Sequence, residues 1–289
     1  MNLESAFSIS PNPRFFYITP NAQAAILKTK YVIQHRQGLT TIIGDVGTGK
    51  TSLLRLLYNE YSDNPDYTTA FFVNPKQSTE TAFLKAVCTE FEVPTRRSQL
   101  DTELELRNFL ISEAIAGRTV ILFIDEAQQL RGAMFEQIRQ ILNYESDDTK
   151  LLNIVMAGQI ELRYKLADPS KRALVSRIAA TSNLDTLTLE DITELINFRC
   201  SVSQIENPFS SEAVEAIFQY SKGIPREAIK LCAMSVQYAK LNELVVIPRE
   251  IIDIAKGDMP ELSDVEEKTV KSTGKGKKGT TRLTKAIGK

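Results

Sequence analysis

The eight residues Gly44-Asp45-Val46-Gly47-Thr48-Gly49-Lys50-Thr51 stand between an apolar, β-branched run, LTTII (39–43), and a leucine-rich run, SLLRLLYNEY (52–61). A chain with this order is committed to a strand that ends in a glycine turn and restarts as a helix. The glycines let successive backbone amides turn inward, and the helix N-terminus adds its positive dipole end. That combination cradles phosphate. Lys50 is spaced to reach the β- and γ-phosphates of a nucleotide and Thr51 to ligate magnesium, with Ser52 completing the set of cradle residues. By composition alone the fixed positions of this pattern arise in about one chain of this length in a hundred.

A phosphate cradle needs a second, carboxylate-bearing strand before it can hydrolyse anything. TVILFIDE (119–126) is the most apolar run in the sequence and ends in Asp125 and Glu126. Ligands gather at the C-terminal ends of strands in open α/β sheets. Asp125 is expected to hold magnesium through water, and Glu126 to polarise the water that attacks the γ-phosphate. The expected ligands are therefore ATP and Mg2+. Gln159 follows the next strand, LLNIVMAG (151–158), where a polar side chain can sense the γ-phosphate. Lys171, Arg172 and Arg177 precede a weaker strand, ATSNLD (180–185). Of these, Arg177 is expected to reach a neighbouring subunit's nucleotide and stabilise transition-state charge. Arg226, in KGIPREAIK, follows a proline at a helix start and is expected to close onto the phosphates.

Strands and helices alternate from 39 to 185. NAQAAILKTKYVIQHRQG reads as a helix capped at Asn21 and stopped at Gly38. TAFFV (69–73) reads as a strand, STETAFLKAVCTEF as a helix capped at Thr79, and DTELELRNFLISEAIAG as a helix capped at Asp101 and closed at Gly117. This alternation predicts an α/β fold, a parallel sheet with helices on both faces. Beyond Thr186, four helical patterns follow without strands. The expected division is a nucleotide-binding domain over 1–187, a helical lid over 188–258 and a basic tail over 259–289 that cannot order itself alone.

Charge and cysteine content narrow the partners. From Lys268 to the C-terminus there are eight Lys or Arg and no acid; without them 27 basic residues face 36 acidic ones, so the body carries about −9. Any nucleic-acid contact must then come from a local patch or the tail. No run approaches the ~18 apolar residues of a membrane span, and MNLESAFSIS lacks the basic start and long apolar middle of a leader. A cytoplasmic chain with no membrane contact is expected. Cys88, Cys200 and Cys232 are scattered and read as buried thiols, and a lone histidine, His35, reads as a polar residue near a helix end.

The order of motifs resembles the AAA+ ATPases: phosphate loop, FIDE, a polar residue after the fourth strand, arginine before the fifth, then a helical region with GIPR. Within them it is similar to the ExeA/GspA and TnsC/TniB group, in FFYITPNAQAAILKTKYVI, GDVGTGKT, LFIDEAQQL, EQIRQILNYESDDTKLLNIVMAGQIEL and GIPREAIKLC. The resemblance implies a three-layer αβα sheet with an all-α lid, and ATP-dependent assembly of a homo-oligomer as a ring or helical filament. In such an assembly Arg177 completes the neighbour's site. It also implies that NPKQSTETAFLKAV is the extra helical element with which initiator-type members grip double-stranded DNA, and that Asn74 couples Glu126 to that contact. Lys76, Lys85, Arg96 and Arg97 are the candidate phosphate contacts, which would read little sequence. ExeA-type members carry a membrane span and a peptidoglycan-binding domain after the ATPase; TnsC-type members stop after a short tail, coat target DNA and recruit a transposase. The length and basic tail favour a TnsC-type regulator working with a transposase, to which the tail is assigned, and with target-selection proteins. A replication loader, an ExeA-like secretion ATPase and a scaffold that hardly turns over are the alternatives. The intact Asp125–Glu126 pair favours slow hydrolysis over none.

Overall fold

The computed structural model describes residues 3–9, 12–145 and 149–259; the expected basic tail, from 260 onward, lies outside them. In chain order the elements are α1 (Leu3–Ala6), α2 (Pro20–Gln34), β1 (Leu39–Gly44), α3 (Lys50–Ser62), β2 (Tyr67–Phe72), α4 (Glu80–Glu90), α5 (Gln99–Ile115) and β3 (Thr119–Ile124). There follow α6 (Gly132–Ile141), β4 (Leu152–Gly158), α7 (Ile160–Leu166), α8 (Arg172–Val175), β5 (Ile178–Leu184), and then helices α9 (Leu189–Val202), α10 (Ser211–Ser221), α11 (Pro225–Leu241) and α12 (Arg249–Gly257).

The five strands form one sheet in the order β2-β3-β4-β1-β5, with every pairing parallel. Alternate side chains of a strand point to opposite faces, and β3 divides accordingly. Val120, Leu122 and Ile124 pack with Phe83 and Leu84 of α4, Leu106 and Leu110 of α5 and Phe135 of α6. Ile121 and Phe123 pack on the other face with Ala25 and Ile26 of α2 and Leu53, Leu54 and Leu57 of α3. Burying each such side chain contributes roughly 1.5–3 kcal/mol, so a sheet covered on both faces has little freedom to slip register. The edge strand β5 alternates exposed and buried positions, which is why its sequence signal is weaker.

Two expected caps lie elsewhere. Thr19, not Asn21, accepts from the Ala22 amide and starts α2, with Pro20 in its first turn. Ser98, not Asp101, starts α5 by accepting from the Asp101 amide. In both, a hydroxyl with extended backbone stands three residues before an amide it can satisfy, whereas Asn21 and Asp101 already lie inside the first turn. Thr79 caps α4 as expected. His35 ends α2, with Nδ1 2.8 Å from the Tyr31 carbonyl, and all three cysteines are buried free thiols.

The helices α9–α12 enclose a separate core of Ile192, Ile196, Leu231 and Ile252. Ala6 and Phe7, at the start of the first expected domain, belong to that core. Arg199 of α9 binds this N-terminal strap: its guanidinium donates to the carbonyls of Ala6 (2.6 Å), Ser8 (2.9 Å) and Phe15 (3.2 Å). It also lies 5.0 Å from the Phe15 ring centroid. Among the described residues no carboxylate pairs with it, and burial pushes its pKa down to about 10. Among the described residues no helix is long and apolar enough to cross a membrane.

Candidate nucleotide site

Loop 45–49 leaves β1 and enters α3 through two glycines whose backbone favours glycine, Gly47 at φ +82° and Gly49 at φ +97°. A Cβ on Gly47 would fall 2.9 Å from Ile224 Cγ2 and 3.1 Å from Arg226 Cβ, and one on Gly49 would fall 3.1 Å from the Phe16 ring. The loop is therefore pressed between the N-terminal strap and the start of α11, where any side chain at Gly47 or Gly49 would force its neighbours to shift and would strain a left-handed backbone. The Arg226 amide donates to the Gly47 carbonyl at 3.3 Å, fixing α11 to the loop directly.

A cavity of about 420 Å³ opens above the loop, lined by residues 46–52, Glu126, Gln159, Arg226, the strap and the first turns of α9. Lys50 is 6% exposed and Asp125 is 3% exposed. The Lys50 ammonium donates to the Asp45 carbonyl at 2.7 Å. Burial is the main cause holding its pKa below the usual lysine range, opposed by Glu126, Asp125 and Asp45 and assisted by Arg226. Thr51 Oγ1 donates to Asp125 Oδ2 at 2.8 Å. A hydroxyl in contact with a carboxylate is the hard oxygen donor set that magnesium takes, so these two residues fit the metal expected with a nucleotide.

Just past β3, Glu126 adopts φ +53°, a left-handed conformation uncommon for a side-chain-bearing residue. This turns its carboxylate back over the sheet end. Oε2 accepts from Gln128 at 2.5 Å, from Gln159 at 3.3 Å and from Gln129 at 3.5 Å. The same Gln129 amide donates to Asn74 Oδ1 at 3.4 Å, and Asn74 itself stands at φ +53°. Asn74 thus meets Glu126 through Gln129. Neither Gln128 nor Gln129 was among the residues expected here; the only sequence signal for them is their place in EAQQL, two and three residues after the carboxylate.

The remaining candidates are distributed. Arg177 precedes β5 at the N-terminal end of the sheet, whereas the loop is at the C-terminal end. With Gly44 paired to Leu184, seven strand residues separate them, about 20 Å. Arg177 donates to the Ala173 carbonyl and to Asn143 and does not reach its own chain's cavity. Lys76 is exposed in the loop after β2 and Lys85 is half-buried on α4. Arg96 is ion-paired with Glu105 at 2.7 Å, and Arg97 is exposed. Thr81, at the start of α4, donates to Gln99 Oε1, at the start of α5, at 2.7 Å, so the loop carrying Arg96 and Arg97 runs back along α4 toward the end that Lys76 precedes.

Phosphate loop, carboxylate strand, strand order and helical region define the class: an ATPase of the AAA+ fold, which uses ATP with Mg2+. The sequence family described as "AAA domain" matches residues 33–166. General secretion pathway protein A of Aeromonas hydrophila is 34% identical over 251 residues, covering 84% of this chain and 45% of that protein's length. The chain therefore spans about half the length of this relative. Among solved structures, the ORC2 protein of Aeropyrum pernix matches 89% of this chain and 74% of its own, with TM-score 0.63 and 14% identity. The RuvB Holliday junction branch migration motor of Thermotoga maritima matches 86% and 75%, with TM-score 0.58 and 19% identity. At such identities the two structures establish the fold alone.

Proposed function

We propose that this chain is a slowly turning-over ATPase that assembles as rings or helical filaments on double-stranded DNA and regulates a transposase. The observation that carries the DNA coupling is the path Asn74–Gln129–Glu126. It joins the carboxylate beside the nucleotide cavity to the exposed loop that carries Lys76, so a ligand on that loop can move the carboxylate.

In this reading residues 44–52 cradle the phosphates and Lys50 neutralises them. Thr51 and Asp125 would hold magnesium, which supplies further charge stabilisation when bound. Glu126 takes a proton from water as the water oxygen bonds to the γ-phosphorus and the bond to the bridging oxygen breaks, giving ADP and phosphate. Gln159 orients Glu126 beside the γ-phosphate, and Arg226 closes α11 over the loop. Arg177, about 20 Å from its own loop, serves a neighbour's nucleotide, which makes assembly a condition of turnover. A cytoplasmic site of action goes with DNA as the partner.

A second reading, an ATPase of a secretion system, is favoured by the identity to General secretion pathway protein A. The fold shared with ORC2 and a branch-migration motor supports DNA as the partner, in a regulator or a loader. Electron microscopy with a non-hydrolysable ATP analogue, with and without duplex DNA, separates these. Rings or helices threaded by DNA, trapped with ATP in Glu126→Gln, are expected. Nucleotide-dependent rings indifferent to DNA favour the secretion reading, and monomers under every condition overturn assembly altogether.

A further inference from the structure

Of the three amides on Glu126, that of Gln128 is engaged at both ends. Its Oε1 accepts the Gln159 backbone amide at 3.1 Å, and its Nε2 donates to Glu126 Oε2 at 2.5 Å. A backbone N–H can only donate, so it fixes which end of the Gln128 amide is oxygen and directs the NH2 group at the carboxylate. The turn carrying Gln128 is tied down separately: the Lys165 ammonium on α7 donates to the carbonyls of Gln128 and of Leu130, the latter at 2.9 Å. Gly158 leaves the room, since a Cβ there would stand 3.1 Å from Gln128 Oε1.

We infer that Gln128 is a positioning residue for ATP hydrolysis, setting the Glu126 carboxylate in register with Gln159 at the end of β4. The inference rests on Glu126 acting as the base. All three amides load Oε2, and among the described residues none donates to Oε1. The division of labour between the two glutamines follows from their partners. Gln129 reaches outward to Asn74 and holds Glu126 at the limit of hydrogen-bond distance, whereas Gln128 reaches inward and holds it closely. Gln128 also gives the backbone at Gln159 a direct grip on the base, so movement at the end of β4 on nucleotide binding is passed to Glu126.

The test is steady-state ATPase kinetics of the full chain with Gln128→Met, which keeps length and bulk and removes both hydrogen bonds. Loss of a hydrogen bond to a charged group predicts a kcat lower by about 30-fold, with KM for ATP and ADP affinity within about twofold. Gln128→Glu is the second variant, against a folding defect in the first; it offers no donor to Glu126 and is expected to lose kcat similarly. In a Glu126→Gln background, Gln128→Met is expected to cost nothing further, because its effect passes through the base. Unchanged kcat in both variants, or an equal loss in the Glu126→Gln background, overturns the inference and leaves Gln128 a structural turn residue. If Glu126→Gln alone keeps full turnover, the base assignment fails instead, and the two failures are told apart.

Discussion

Thr51, at the first turn of α3, donates its hydroxyl proton to Asp125 Oδ2 at 2.8 Å although 74 residues separate them. The strands they follow, β1 and β3, are not neighbours, and β4 runs between them. The contact therefore exists only because sheet order and parallel register bring the C-terminal ends of β1 and β3 to the same edge of the sheet. If this pair holds magnesium, Thr51→Val, which keeps the shape and removes the oxygen, should weaken magnesium affinity at least about tenfold. Titrating magnesium into the ATPase assay measures this, while metal-free nucleotide binding should stay within about twofold. An unchanged titration would place the metal elsewhere.

Lys50 sets a pH dependence. Its pKa in the unliganded site lies below the usual lysine range, chiefly through burial, and phosphates favour its charged form. ATP affinity should fall as pH rises through that lowered value, earlier than a solvent-exposed lysine would give. The unliganded fold should show the opposite trend: between the lowered pKa and the ordinary one the unfolded chain binds more protons, so stability rises with pH. Calorimetric ATP titrations from about pH 7 to 10 test the first limb. In Lys50→Arg the guanidinium stays charged, and the fall should disappear.

Arg177, at the far end of β5 from its own phosphate loop, should act on a neighbour. Arg177→Ala is expected to lose at least about 10³-fold in kcat while still binding ATP. Mixing it with Lys50→Ala protomers should restore part of the activity, because some interfaces then hold one good loop and one good arginine. No recovery in mixtures shown to co-assemble would assign Arg177 to holding Asn143 and Ala173.

DNA affinity should depend on Lys76 more than on Arg96. Lys76 is exposed in the loop that Asn74 begins, while Arg96 is paired with Glu105. Lys76→Ala should weaken duplex binding of the assembled protein several-fold and reduce its salt slope by about one for each DNA phosphate left without its lysine. Arg96→Ala should have the smaller effect, read by fluorescence anisotropy at several salt concentrations. Equal effects would indicate that the Arg96–Glu105 pair opens on DNA.

Arg199→Met should loosen the strap. It removes the donors of three backbone carbonyls and should cost about 2–4 kcal/mol of stability, measured by urea unfolding. Limited proteolysis should then cut within residues 8–16 first. Wild-type resistance in both measurements would show that the strap is held by Phe7 and its apolar neighbours alone.

Much of this fold is local in origin. The alternation of apolar runs and capped helices marked all five strands, and the misplaced starts of α2 and α5 differ by a few residues because several capping side chains stand near each boundary. The phosphate loop and the Asp125–Glu126 pair were legible because each is one contiguous stretch whose spacing carries its chemistry. Asn74, Gln159 and Arg226 were legible only as polar residues at the ends of elements.

The sequence by itself determined the elements, the cradle and the two carboxylates, since backbone geometry, capping and glycine content act over a few residues. Only the tertiary structure decided which partners those groups meet. The bonds from Gln128 and Gln129 to Glu126, the grip of Arg199 on Ala6 193 residues away, and the placement of Arg177 beyond reach of its own cavity all depend on sheet order and on helices packing across it. Those arise from burial summed over the whole core, a long-range quantity that no single stretch of sequence carries.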